Sequence, residues 1–379
     1  MLMKLCILLL WIENLLAEFS ILCRYNAQYS LTTDDSVMQT VVDMPVSLPT
    51  GTVGETIVFG VPSSKNILGV VTKSNQQPSY SAMSLSGNLV AGGTFAVTCG
   101  MVEVRGTSSS AVSCIGNIRP AYMKDYQYEL RSDAHNVHHM KMVDLTKYKI
   151  RDENDLEVVR KLGKHRGRRM NQRKDKKRAS NSIHINNSTM DDVVLSSRRK
   201  LHRKRRLVDS NDILDVMVVY TADAVSWSGS NSSMELLILL AMDEANEILA
   251  NSNVELRLRL VRSMHSVDSF TDPSSMFSVL EWITYSGGAD SIFDTEQSIR
   301  EVVGADVLSV FVGPSGYCGV AYLADATDSD EERQQFATSV VAADCATGYF
   351  SFLHEIGHNM GLNSGVFLLL LWVLLGRGR

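Results

Sequence analysis

A strongly basic segment, residues 160–206, constrains how this chain of 379 residues can fold, because it separates two parts of different composition. The segment carries 18 Lys and Arg residues against 3 Asp and Glu, a net charge of +15, and contains no Phe, Tyr or Trp. A segment of this composition cannot bury enough apolar surface to form a core, so we predict that it is a disordered linker. The chain should therefore fold as two parts, one before and one after this linker.

Charge also limits what the linker can do. Residues 1–159 carry 12 basic and 15 acidic residues, whereas residues 207–379 carry 7 and 24, a net charge of −17. A nucleic-acid-binding tract is disfavoured, because the acidic part would repel phosphates and the linker offers no aromatic side chains for stacking. A plain solvated linker is one alternative. A basic cluster at the end of the segment favours another, cleavage by a basic-site processing protease; the cluster is Arg203, Lys204, Arg205 and Arg206.

The N-terminus has the layout of a secretory signal peptide. Lys4 is followed by the apolar run Leu5–Ile12, and we predict a signal peptide over residues 1–22. A buried N-terminal helix is the alternative. No run of 18 apolar residues is present in the sequence, so we expect no stable membrane span. Glycosylation sequons agree with a secreted, extracellular protein; they begin at Asn186, Asn187 and Asn231.

The cysteines are spaced in a way that favours one disulfide on each side of the linker. Cys99 lies near Cys114, and Cys318 lies near Cys345. No C-x-x-C pair occurs in the sequence, which argues against a zinc ribbon or a thioredoxin-type motif. Reduced, buried cysteines are the alternative to disulfides.

The part before the linker, residues 23–159, is predicted to be rich in β-strands. Short apolar runs alternate with turn residues; they are Thr56–Phe59, Ile67–Val71 and Phe95–Thr98. His135, His138 and His139 are close enough in sequence to contact one metal ion. Their charged neighbours favour a solvated surface instead.

The part after the linker, residues 207–364, has alternating strand and helix patterns, which predict an α/β domain with a mixed, mostly parallel sheet. A helix is predicted over Met234–Ala250, with Asp243 and Glu247 on the face opposite its apolar residues. The predicted strands are Ile213–Tyr220, Val254–Val261, Val307–Val312 and the short, edge-like Gly319–Leu323.

A catalytic motif follows near the C-terminus. On a helix, His354 and His358 lie one turn apart on the same face, so both imidazoles can reach one Zn²⁺. Glu355 can reach a metal-bound water and take its proton as that water attacks a peptide carbonyl. This is the His-Glu-x-x-His pattern of zinc peptidases.

The sequence His354–Asn363 resembles the metzincin zinc endopeptidases, specifically the reprolysin (adamalysin-like) family and its microbial secreted relatives. The resemblance implies a zincin-like catalytic domain with an active-site helix, in which His354 and His358 bind zinc, Glu355 activates a zinc-bound water and Gly361 turns the chain. It also implies protein or peptide substrates and a secreted zymogen whose β-rich part is a prosegment. An edge strand would bind the extended substrate; its residues are Gly319, Val320, Ala321, Tyr322 and Leu323.

The sequence departs from the family pattern after the helix. The third zinc ligand is expected at position 364, where this chain has Ser364, and residues 365–379 form an apolar tail without His, Asp, Glu or Cys. Loss of the natural reading frame, which would leave the catalytic domain incomplete and the tail aberrant, is the favoured explanation. A membrane-touching tail and an inactive variant are the alternatives. A catalytically dead pseudoprotease or binding domain is thus the alternative function.

Replacing the residue at the position of the missing ligand tests this interpretation. We expect Ser364→His to raise zinc affinity by at least about 100-fold, since disturbing even an outer-shell partner of a zinc ligand costs about 10–100-fold. Turnover should stay poor. Dialysis against a mild chelator, followed by metal analysis, measures this. Equal zinc affinity in the two proteins would show that Ser364 is harmless.

Overall fold

The computed structural model describes residues 19–25, 39–43, 50–62, 66–103, 109–133, 136–145, 213–267, 270–273, 275–285, 292–325 and 327–362. The predicted linker, residues 160–206, and the predicted tail, residues 365–379, lie outside the described residues, as do Arg203–Arg206 and Ser364. Most of the predicted signal peptide also lies outside them, but its boundary at residue 22 falls inside the first strand, Phe19–Tyr25.

Strands before the linker close into a nine-stranded barrel, here called the N-terminal barrel. The order around it is β1-β2-β9-β8-β7-β6-β5-β4-β3, and every pair is antiparallel except β1 with β3. The strands are β1 (Phe19–Tyr25), β2 (Gln39–Asp43), β3 (Thr56–Gly60), β4 (Asn66–Gln77), β5 (Ala82–Leu89), β6 (Gly93–Glu103), β7 (Ser110–Pro120), β8 (Tyr126–Ser132) and β9 (His138–Asp144).

Alternating apolar residues fill the inside of the barrel. Phe95 is buried there, and glycines on two neighbouring strands give its ring space: a Cβ added at Gly69 would lie 2.6 Å from Phe95 Cε1. Cys99 and Cys114 face each other across β6 and β7 and form a disulfide. The three apolar runs in this region lie in β3, β4 and β6. Closure into a barrel was not predicted from the sequence.

Residues after the linker form the C-terminal domain (residues 213–362), which is built on a five-stranded sheet of order β11-β10-β12-β14-β13. Its pairs are parallel except β13 with β14, so it is the mixed, mostly parallel sheet that the sequence predicts. The elements are β10 (Ile213–Tyr220), α1 (Ala222–Ser228), α2 (Asn231–Asn251), β11 (Arg257–His265), α3 (Met276–Thr284), α4 (Asp294–Val303), β12 (Val307–Val312), β13 (Gly319–Ala321), α5 (Asp330–Phe336), β14 (Thr338–Ala342) and α6 (Ser351–Asn359).

Helices cover both faces of this sheet. Apolar residues of α2 and α6 share one buried cluster with β10 and β12, whereas α3 packs in a second cluster on the opposite face. The edge strand is shorter than predicted, because β13 ends at Ala321 and Tyr322 and Leu323 continue beyond it. No helix in the described part of the chain is long and apolar enough to cross a membrane.

The face of α2 that carries Asp243 and Glu247 is largely buried. Burial raises the pKa of Asp243 and of Glu247, and Glu244 between them is only 4% exposed. The N-terminal barrel covers this face of the helix: Asn75 of β4 donates a hydrogen bond to Asp243 Oδ1 at 3.5 Å. The acidic residues therefore lie between the N-terminal barrel and the C-terminal domain.

His138 and His139 do not share one site, and His138 does not lie on a solvated surface. His138 and His139 are consecutive residues of β9, so their side chains point to opposite faces. His138 is buried, and its Nε2 accepts a hydrogen bond from the Cys114 N–H at 3.0 Å. His139 is partly exposed and lies 3.5 Å from an Asp133 carboxylate oxygen, while His135 lies outside the described residues.

Burial lowers the pKa of His138 from 6.5 to about 4, and this predicts an acid-sensitive barrel. The unfolded chain takes up a proton near pH 6.5 that the folded barrel resists, so stability is lost as the pH falls from about 6.5 to 4. The loss should reach about 3 kcal/mol, at up to about 1.4 kcal/mol per pH unit. We expect His138→Gln, which keeps a hydrogen-bond acceptor, to lack this component.

Urea unfolding of both proteins between pH 7 and pH 4 measures this effect, because contributions from the carboxylates cancel in the difference. A difference in unfolding free energy that does not change with pH would contradict the prediction.

Candidate functional site

The helix that carries the catalytic motif, α6, begins after a constrained residue and packs on the sheet with its apolar face. Phe350 precedes the helix in the left-handed backbone region, with φ +61°. Phe352 is buried with its ring centroid 5.5 Å from that of Phe311 on β12, and Ile356 lies one turn later in the same cluster. Because these residues fix one face of the helix, the histidines occupy the adjacent face.

The two motif histidines converge. His354 Nε2 lies 3.0 Å from His358 Nε2, and the ring planes are nearly perpendicular at 88°. His358 Nδ1 lies 2.7 Å from the carbonyl oxygen of Leu362 and donates to it, which leaves Nε2 of His358 as an acceptor. Burial, with a smaller contribution from His358, lowers the pKa of His354 to about 3. The His354 imidazole therefore favours its neutral form.

This pair fits two of the ligands of a zinc ion. Two nitrogens bound tetrahedrally to Zn²⁺ at 2.0–2.1 Å would lie about 3.3 Å apart, close to the observed 3.0 Å. Outer hydrogen bonds such as that of His358 Nδ1 are typical of zinc-binding histidines, because they orient the ring. Within the described residues, no group of three His, Cys, Asp or Glu side chains could hold a metal ion.

The side chain of Glu355 extends from α6 toward the edge strand β13. Glu355 is 4% exposed, and its side chain packs directly against Gly319 of β13. A Cβ at position 319 would lie 2.6 Å from Glu355 Cγ and 2.7 Å from Glu355 Cδ, closer than real side chains approach. The first residue of the edge strand is therefore a glycine because it lies against this carboxylate.

The C-terminal end of α6 is tied to the chain that follows β13. The side-chain amide of Asn359 lies within 3.2 Å of three carbonyl oxygens, of Tyr322, Phe336 and Thr338. The N–H of Ala324 donates to the carbonyl of His358 at 2.9 Å. Gly361 then adopts φ +90°, which suits the turn that the sequence predicts there. Helix and edge strand thus form one connected unit.

A disulfide joins the same two elements at their other end. Cys318 immediately precedes β13, and Cys345 lies in the segment that leads to α6. The structure thus brings together the predicted His354, Glu355 and His358, the turn at Gly361, the edge strand and this disulfide. Sequence reasoning missed Gly319 as the neighbour of Glu355, and it missed Asn359. Their only sequence signals are a glycine in a strand and an amide directly after a histidine of the motif.

Comparisons with known proteins agree with this geometry. Residues 237–363 match the family model described as Metallo-peptidase family M12B Reprolysin-like. The proteins named "Peptidyl-Asp metalloendopeptidase" from Stenotrophomonas maltophilia (strain K279a) and Xanthomonas campestris pv. campestris are each 36% identical to this chain over 143 residues. A protein of the same name from Pseudomonas aeruginosa is 29% identical over 166 residues.

The matched segment is a limited part of each protein. The first two alignments cover 38% of this chain and 31% of each relative, and the third covers 39% and 25%. One solved structure, titled "Structure of a chaperone-substrate complex", has a TM-score of 0.32 at 21% identity over 40% of this chain and 26% of that chain, too weak a similarity to inform the fold. The sequence matches identify the C-terminal domain as a metallopeptidase domain.

The close contact between Gly319 of the edge strand and Glu355 of the helix predicts that a methyl group added at position 319 destabilises the protein. Gly319→Ala should lower the free energy of unfolding by about 1–3 kcal/mol, because Glu355 is buried and cannot move aside cheaply. Gly316→Ala is the matched control, since a Cβ at that position would meet nothing within 4 Å. Urea unfolding compares the two variants. Equal stabilities would show that the strand and Glu355 separate easily.

Proposed function

We propose that the C-terminal domain is a zinc-dependent endopeptidase that hydrolyses peptide bonds of proteins. The observation that carries this proposal is the arrangement on α6: two imidazole Nε2 atoms 3.0 Å apart, with the buried Glu355 carboxylate beside them and directly against the edge strand. The family match supports the reaction class.

His354 and His358 would hold the ion through Nε2, and their ring orientations suit that role. When bound, zinc supplies a Lewis acid that polarises a peptide carbonyl and makes water more acidic. Glu355 takes a proton from the attacking water at its carboxylate and delivers it to the leaving nitrogen. Burial of this carboxylate against Gly319 limits its rotation, so the proton acceptor is held in place.

The edge strand β13 would bind the substrate. It is the last strand of the sheet in the described part of the chain, so one side of its backbone faces away from β14. An extended peptide can add to such an edge through main-chain hydrogen bonds. The names of the relatives make peptides that contain aspartate the first substrates to test.

We further propose that the protein is secreted as a zymogen and is cut near Arg206 in its basic linker. The signal-like N-terminus and the basic cluster Arg203–Arg206 support this route. The disulfides Cys99–Cys114 and Cys318–Cys345 also support it, because disulfides persist in oxidising compartments.

Replacing the proton acceptor tests the proposed reaction. Glu355→Gln keeps the shape of the side chain but removes its basicity, so hydrolysis should fall by about 10²–10⁴-fold while bound zinc is unchanged. Glu331→Gln, at an exposed position of α5, is the matched control and should keep the activity of the unaltered chain. Cleavage of aspartate-containing peptides with zinc in excess, together with metal analysis, gives both quantities.

The same experiment separates the enzyme from the alternative, a pseudoprotease or binding domain. If the domain is an enzyme, Glu355→Gln loses hydrolysis, whereas the unaltered chain and Glu331→Gln keep it. Peptide binding without cleavage by the unaltered chain, at saturating zinc, would contradict the proposal and support a binding domain.

A further inference from the structure

One buried carboxylate joins three separate segments of the protein. Glu244 of α2 accepts hydrogen bonds at Oε1 from Asn117 Nδ2 (2.6 Å) and from the Arg119 guanidinium (3.3 Å), both on β7 of the barrel. Its other oxygen, Oε2, accepts from the N–H of Gly348 at 2.9 Å, in the segment that leads to α6. The mechanism proposed above uses none of these groups.

Apolar packing continues across the same boundary. Residues of the barrel, including Ala82 and Ile115, belong to one buried cluster with α2 and the central strands of the sheet. Gly100 of β6 allows close approach, because a Cβ there would lie 2.8 Å from Leu236 Cδ2. The two parts of the chain therefore share a core rather than touch through solvated surfaces.

The barrel also holds the segment in front of the active-site helix. The Arg119 guanidinium lies 4.1 Å from the ring centroid of Phe350, the residue that precedes α6, and donates to the carbonyl of Gly348 at 3.1 Å. Arg131 of β8 donates to Thr347 Oγ1 at 2.6 Å. At position 348 the backbone is left-handed, with φ +77°, and an added Cβ would overlap the barrel residue Gln127.

A further contact places the barrel near the edge of the sheet that is opposite the proposed substrate strand. Tyr80, in the turn between β4 and β5, has its hydroxyl 3.0 Å from Ser263 Oγ on β11. β11 and β13 are the two ends of the sheet order. These contacts of the barrel are therefore made at the end of the sheet that is remote from β13.

We propose that the N-terminal barrel stays bound to the C-terminal domain after the linker is cut, as a permanent partner, and that Glu244 is the central contact of this interface. Removing the barrel would expose an apolar helix face and strip a buried carboxylate of two donors. This proposal rests on the proposed function only in assuming that the linker of the natural protein is cut. Its test needs no peptidase activity, so it can fail or succeed independently.

The test uses the full chain with a site-specific protease sequence placed within residues 160–206. After complete cutting, gel filtration should give one peak containing both fragments, in 0.15 M and in 1 M salt, because the shared core is apolar. Two separate peaks, each with the circular dichroism of a folded protein, would overturn the proposal.

Variants of the cut protein test the role of Glu244. Glu244→Gln should raise the dissociation constant of the two fragments by roughly a hundredfold, since it removes the charge from a buried pair. Glu235→Gln is the control on the same helix, because Glu235 contacts Tyr220 of the C-terminal domain itself; its effect should stay within about threefold. Equal effects would show that Glu244 is not the central contact.

A barrel-side variant keeps the test decisive if Glu244→Gln does not fold. Arg119→Met removes one donor and leaves the C-terminal domain unchanged in sequence, and we expect it also to weaken association. Unchanged dissociation in Arg119→Met would count against the proposed interface.

Discussion

Helix α2 has little solvent-facing surface, and this burial constrains both parts of the chain. Seven consecutive residues, Leu236–Met242, are buried, which one sheet face cannot achieve for a helix. The sheet covers one side of α2, and strands of the barrel cover the other. Either part alone would leave apolar surface exposed, so the barrel and the C-terminal domain depend on each other through this helix.

Elements with a strong local pattern could be predicted from the sequence. Ile213–Tyr220 and Val307–Val312 are continuous apolar runs because both faces of a central parallel strand are buried, and both are strands at those residues. The burial of Asp243 and Glu247 on α2 could not be predicted from the sequence. Charged residues on a helix usually face solvent, and the barrel strands that cover these two are distant in sequence. Closure of the barrel could not be predicted for the same reason, because it depends on pairing between β1 and β3, which are not consecutive strands.

The candidate site divides in a similar way. His354, Glu355 and His358 are defined by their spacing on one helix, which the sequence contains in full. The packing of Gly319 on Glu355 and the bonds from Asn359 to three carbonyls depend on how β13 and β14 lie beside α6. Such contacts carry no periodic signal. The sequence therefore predicts the chemical groups of the site but not what fixes their positions.

Contacts that hold α6 in position are found at both ends of the helix. In front of the helix, Gly348 is bonded to Glu244 and to Arg119 of the barrel. At the end of the helix, Asn359 bonds to the chain that follows β13. A helix held in this way keeps its two imidazoles convergent through protein contacts alone, which is the preorganisation that a metal site needs. The barrel thus contributes to the geometry of the site from a distance, through the segment that starts the helix.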